Sequence, residues 1–207
     1  MSSRRARELA VVSAVSATTF AGVAIATATR ASARVDRRLS PRLAPKPRSR
    51  GRRIAESLSP VGKWYTLVPA AVIGGAALAR DPSRRAAGAT IAASSIIATL
   101  IAKAFDHVLP QPPVPANHRH KPNKPVFPSG HALLSTSVAS TAAYVLNRES
   151  LIDAAPAAIA AAAFSVGNPA IKLAVQKHWL TDAIGGVVAG VAIAAACCAT
   201  YEQLRDD

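Results

Sequence analysis

The stretch Pro128-Ser129-Gly130-His131-Ala132-Leu133-Leu134 joins a proline-rich polar segment to an apolar run that continues to Leu146. A Ser-Gly pair after proline suits a helix start, and nothing from Ala132 to Leu146 carries a charge. Taken alone, His131 to Leu146 falls short of the ~20 residues a helix needs to cross a bilayer. Five further runs of the same kind decide the matter: Leu9 to Thr29, Trp64 to Ala79, Ala86 to Ala102, Ala154 to Ile171 and Ala183 to Tyr201. The expected fold is an all-α, polytopic membrane helix bundle with about six transmembrane helices, the second and third of them short. Small residues dominate these runs, and small residues let membrane helices approach closely.

Composition agrees. Half of the 207 residues are hydrophobic while 17% are charged, a balance that argues against the alternative of a soluble alanine-rich bundle. The net charge of +14 is uneven: between Arg30 and Lys63 lie eleven basic residues against Asp36 and Glu56. No aromatic residue is interleaved before Trp64, so anionic lipid headgroups fit this segment better than nucleic acid; a solvated basic linker is the other reading. Cys197 and Cys198 are adjacent in the last apolar run, without metal-ligand spacing, and read as small hydrophobic fillers.

The first run follows Arg4, Arg5 and Arg7 and ends in Ala31-Ser32-Ala33. That is the outline of a cleavable signal, but the apolar stretch is longer than a signal core and favours a retained anchor. The expected organisation is an N-terminal anchor or signal-like helix plus basic loop over 1–63, then a bundle carrying the active site over 64–207.

Lys103 to Pro128 contains seven prolines, with Arg119 and several histidines among them, and should be extended and stiff. Lys172 to Asp182 connects spans five and six. By helix parity these two connections share one membrane face with the basic segment. Positive-inside counting places that face in the cytoplasm. The opposite face also carries arginines, and sidedness stays open.

Chemistry concentrates on the shared face. Ser129 and Gly130 precede a helix, where unpaired N–H groups and the helix dipole favour an anion such as phosphate; an ordinary serine N-cap is the plainer reading. His131 stands beside them and can hold a proton for a leaving group near neutral pH. His178 and Asp182 are four apart, on one face of a helix. A carboxylate on one ring nitrogen leaves the other free to attack. Lys103 and Lys172 end spans three and five, where they either bind phosphate or snorkel to headgroups.

Together these residues resemble the type 2 phosphatidic acid phosphatase superfamily, membrane lipid phosphatases related to vanadium haloperoxidases. Its Pro-Ser-Gly-His signature stands at Pro128 to His131, and its last signature keeps its spacing from Lys172 through His178 to Asp182. The resemblance implies His178 as nucleophile forming a phosphohistidine, Asp182 orienting it, and His131 protonating the departing group. Lys103, Ser129, Gly130 and Lys172 would hold the phosphoryl oxygens, with no metal or other cofactor. Two positions depart from the pattern: Pro110-Gln111 replaces Arg-Pro, and Ile171-Lys172 replaces Ser-Arg. Lysine keeps the charge without the bidentate fork of arginine. Arg119 is the expected substitute for the missing guanidinium.

The implied activity is metal-independent hydrolysis of a lipid phosphate or diphosphate in a bacterial inner membrane. Candidate substrates are a polyprenyl (di)phosphate, phosphatidic acid and phosphatidylglycerol phosphate. The alternatives are a catalytically weakened relative that binds anionic lipid or acts as a scaffold, and a lipid phosphotransferase.

Overall fold

The computed structural model describes residues 2–46, 48–105, 108–109 and 127–205, and these are helical almost throughout. In chain order the helices are α1 (Ser2–Ala28), α2 (Ala33–Leu39), α3 (Arg50–Leu58), α4 (Trp64–Leu78), α5 (Arg85–Phe105), α6 (Gly130–Arg148), α7 (Ala154–Ala174) and α8 (Leu180–Leu204). The six long ones match the six expected runs. Four stretches among them, Arg4–Ala28, Pro82–Phe105, Ala154–Ala174 and Leu180–Leu204, are long and apolar enough to cross a membrane.

The third run is longer than expected, because α5 takes in Arg85 and Lys103 at its ends. α4 remains short at 15 residues, about 22 Å of helix. α6 is long enough to span but carries buried Ser135, Thr136, Ser137 and Thr141. Two of these hydroxyls return hydrogen bonds to the backbone, Ser135 to the Ala132 carbonyl and Ser137 to the Ser94 carbonyl, while those of Thr136 and Thr141 have no partner among the described residues.

α8 is the central element, with α1, α5, α6 and α7 packed on it. Its contact with α6 depends on Gly186 and Gly190. A Cβ on Gly186 would stand 2.6 Å from the Ser129 carbonyl oxygen and 2.7 Å from the Ala132 Cβ; one on Gly190 would stand 2.7 Å from the Leu133 carbonyl oxygen. These two glycines, four apart, allow backbone-to-backbone approach at the level of the Ser-Gly-His turn. Gly186→Ala is therefore expected to destabilise by about 1–3 kcal/mol through overpacking. Gly74→Ala, where nothing lies within 4 Å of an added Cβ, should gain up to ~1 kcal/mol. Thermal melts of the two variants in detergent check the contrast.

α1 lies along α8, where Ser13 donates to the Ala192 carbonyl at 2.9 Å. Phe20 of α1 stacks on Phe127 and meets Phe105 edge-on. At the opposite end of the bundle, buried Glu202 accepts from Arg148 at 2.6 and 3.2 Å and from the Tyr144 hydroxyl at 2.9 Å, tying α6 to α8. Tyr201 donates to Glu149 there as well.

The basic segment between α1 and α4 differs from the loop expected. It holds α2, a 3-10 turn over Ser40–Leu43 and α3, docked on the end of the bundle that carries His131 and His178. The described ends of the proline-rich connection are joined, the Phe127 N–H donating to the Leu109 carbonyl at 3.2 Å.

Candidate active site

The first turns of α6 and α8 meet at the candidate site, where the Ser129 N–H donates to the Asp182 carbonyl at 2.9 Å. This bond and the two interhelical glycines bring residues fifty positions apart onto one another. The chain reaches His178 through a tight helix end. Gln176 adopts a left-handed φ of 55°; its N–H donates to the Leu173 carbonyl and the Lys177 N–H to the Lys172 carbonyl. That pair of bonds is a Schellman motif. It stops α7 and turns the chain so that His178 comes directly before the start of α8.

His178 Nδ1 lies 3.6 Å from Asp182 Oδ2. The separation exceeds a formed hydrogen bond and is of the kind that tightens when a catalytic complex assembles. Asp182 is fully buried, and its Oδ2 also accepts from the Trp179 N–H at 3.0 Å, which fixes the carboxylate against the chain that carries His178. The rings of His131 and His178 meet edge to face with centroids 6.3 Å apart, close enough for a single phosphoryl group to touch both. His178 Nδ1 is thus the nitrogen turned toward Asp182, and Nε2 is the one turned away.

The two helix starts are treated differently. At α8 the first N–H groups have protein partners: Leu180 N–H donates to Ser40 Oγ at 3.0 Å, and Thr181 N–H to Asp36 Oδ1 at 3.0 Å. At α6, Ser129 stands at the N-cap position without capping. Its buried hydroxyl has no hydrogen-bond partner among the described residues, and neither have His131 Nε2, His178 Nδ1 and Asp182 Oδ1. Buried polar groups left unpaired cost free energy. Four of them gathered at an uncapped helix N-terminus mark a place for a polar ligand. Positive charge surrounds it, since Lys63, Lys172 and Lys177 are near enough to act electrostatically on His131. The chemistry of this donor set suits an anion with several oxygens.

Of the residues expected from sequence, Ser129, Gly130, His131, His178 and Asp182 come together here. Lys172 is buried, so it does not snorkel. Its ammonium donates to the Ser59 carbonyl at 2.5 Å and to Ser59 Oγ at 2.8 Å, leaving one of its three protons for a ligand. Lys103 is exposed, with its ammonium 5.8 Å from the Trp64 ring centroid. It stands next to Ala102, whose Cβ faces Gly130, at the rim of the site. Arg119 and Pro110-Gln111 lie outside the described residues.

Sequence reading passed over a supporting set. Asp36 and Ser40 hold the first turn of α8, with the Thr181 hydroxyl also donating to Asp36 Oδ2 at 2.6 Å. Arg52 donates to the Ala174 and Val175 carbonyls at 2.8 and 3.3 Å, capping the end of α7 with a positive charge. Ser59 receives Lys172. The signal available was slight: one buried-type carboxylate at Asp36 with a serine four residues on, inside a run of arginines.

Comparison with known proteins fits this geometry. A profile of the PAP2 superfamily matches residues 85–206, which include α5 to α8 and every catalytic candidate. Among solved structures, the fold resembles a transmembrane PAP2 type phosphatidylglycerolphosphate phosphatase from Bacillus subtilis, with a TM-score of 0.75 at 19% identity over 93% of this chain and 96% of the other. A search of curated proteins finds no match. The apolar helices and the likeness to a transmembrane structure make this an integral membrane protein, and the match over more than half its length shows that the chain belongs to the PAP2 superfamily.

Proposed function

We propose that the protein is a membrane-embedded lipid phosphatase that releases phosphate from a lipid phosphate or diphosphate through a phosphohistidine. The observation that carries this reading is the cluster of unpaired buried polar atoms on Ser129, His131, His178 and Asp182 at the uncapped start of α6, ringed by lysines. In the forward step His178 Nε2 attacks phosphorus, the bond to the leaving oxygen breaks, and His131 supplies the proton that oxygen takes. In the second step water attacks the phosphohistidine, His131 accepts the water's proton, and inorganic phosphate leaves. Asp182 holds the His178 ring and stabilises its positive charge. Ser129, the Gly130 N–H and Lys172 bind the phosphoryl oxygens, where charge grows in the transition state. Lys103 at the rim draws the anionic headgroup in, and Arg119 supplies a guanidinium.

Phosphatidylglycerol phosphate, phosphatidic acid and polyprenyl (di)phosphates are the candidate substrates, and the protein named for the similar Bacillus subtilis structure adds weight to the first. The proposed setting is a bacterial inner membrane, with anionic lipids as neighbours and α1 retained as an anchor. Detergent-purified protein offered this panel with EDTA present should release phosphate from at least one member, and the ranking identifies the substrate.

A second reading has one observation in its favour. Two of the three Lys172 protons are already engaged by Ser59, as in a relative that binds anionic lipid with little turnover. Lipid binding without phosphate release across the panel would select it. Transfer of phosphate to an acceptor other than water would select a phosphotransferase.

A further inference from the structure

The segment from α2 to α3 has two chemically distinct faces. Its inward face carries Asp36, Ser40, Arg52 and Ser59, and each bonds to the turn or helix end that presents the site. On the outward face of α2 and the 3-10 turn, Arg34, Arg37, Arg38 and Arg42 are exposed together with Val35, Leu39 and Leu43. The three apolar side chains are 38–49% exposed, too much for a surface meant for water alone. α3 repeats the pattern with exposed Arg53, Ile54 and Leu58. Arginines interleaved with aliphatic side chains on short helices suit the plane of a membrane interface. Trp64 and Tyr65 follow directly, each with a lysine ammonium on its ring, and aromatic residues of this kind mark the headgroup level.

We propose that residues 33–46 and 48–61 form an interfacial clamp whose outward arginines and aliphatic side chains seat on an anionic leaflet and whose inward Asp36 thereby holds the His178–Asp182 turn, so that acidic lipid raises turnover. The mechanism is electrostatic. Crowded arginines repel one another and loosen the segment, and headgroup phosphates neutralise them at close range. Asp36 bonds to Thr181, between Leu180 and Asp182, so slackness in α2 passes directly to the carboxylate that orients His178.

The activation arm rests on the phosphatase reading; the docking arm does not. The test uses the full chain in nanodiscs, where both faces are open, made of phosphatidylcholine alone or with phosphatidylserine. Short-chain phosphatidic acid is the substrate. An anionic surface repels this substrate, so a mere surface-charge effect lowers the rate. The clamp predicts a rise in kcat of about fivefold, the scale of one arginine–lipid contact, that fades with salt. The combined Arg34→Gln, Arg37→Gln, Arg38→Gln, Arg42→Gln variant, relieved of the repulsion, should run on phosphatidylcholine at or above the wild-type rate and show no further rise on phosphatidylserine. Asp36→Ala should depress kcat on both discs with KM little changed, and Asp36→Glu should recover part of it, a rescue that simple misfolding would not give. An equal or lower rate on phosphatidylserine, or a rise retained by the arginine variant, overturns the proposal. Trypsin cleavage between Arg34 and Arg53 provides a readout free of catalysis. Slower cleavage on phosphatidylserine supports docking even if no substrate is turned over, and equal cleavage on both discs refutes it.

Discussion

Replacing His178 by alanine is expected to reduce phosphate release to background, a loss on the order of a million-fold if the imidazole is the nucleophile. The ring has Nδ1 toward Asp182 and no hydrogen-bond partner for that nitrogen among the described residues, so its removal breaks no structural bond there and the thermal melt should stay close to wild type. Quenched-flow labelling with radioactive phosphate substrate should give an acid-labile, alkali-stable phosphoenzyme in the wild type and none in His178→Ala. A variant that kept substantial turnover would show that the nucleophile is elsewhere, and the phosphohistidine route would be abandoned.

The second large effect separates the histidines by chemistry. An alkoxide is a poor leaving group, so His131→Ala should slow release from a lipid phosphate about 100- to 10,000-fold, the range of general acid catalysis. An aryl phosphate with an acidic phenol leaves without a proton and should lose far less. The ratio of the two rates is the diagnostic quantity, because a variant that merely disturbed the pocket would slow both substrates alike. Equal losses would assign His131 a binding role at the start of α6. In an in-line displacement the leaving oxygen lies across phosphorus from His178, so His131, whose ring centroid is 6.3 Å from that of His178, can act as the acid only with the phosphoryl group seated between the two rings.

The six long helices were legible because each follows from a run almost free of charge, and, except at the start of α1, the charged residues that bound those runs fall within a few positions of the observed ends. The meeting of His131 with His178 and Asp182 was legible from spacing and from the resemblance it supports. The clamp was not. Asp36, Ser40, Arg52 and Ser59 lie among residues of the same kinds that face outward, and only the three-dimensional docking of α2 and α3 distinguishes Arg52 from Arg53 or Asp36 from an ordinary counter-charge. Lys172 shows the same limit from the other side. A lysine at a helix end near the membrane face reads as an interfacial anchor, yet Ser59, more than a hundred residues earlier, turns its ammonium inward. Periodicity reports which faces are apolar. It does not report which polar side chains find partners far along the chain.

The bond between the Phe127 N–H and the Leu109 carbonyl has an implication for how such a protein can be altered. It fixes the two ends of the connection at one place whatever lies between them. Ser129 and His131 take their positions from α8 and the glycines beneath them, not from the number of residues upstream. Alteration at this end of the molecule therefore has to respect two anchors, Leu109 with Phe127 and Asp182 with Ser129, which hold the start of α6 from neighbours far apart in sequence.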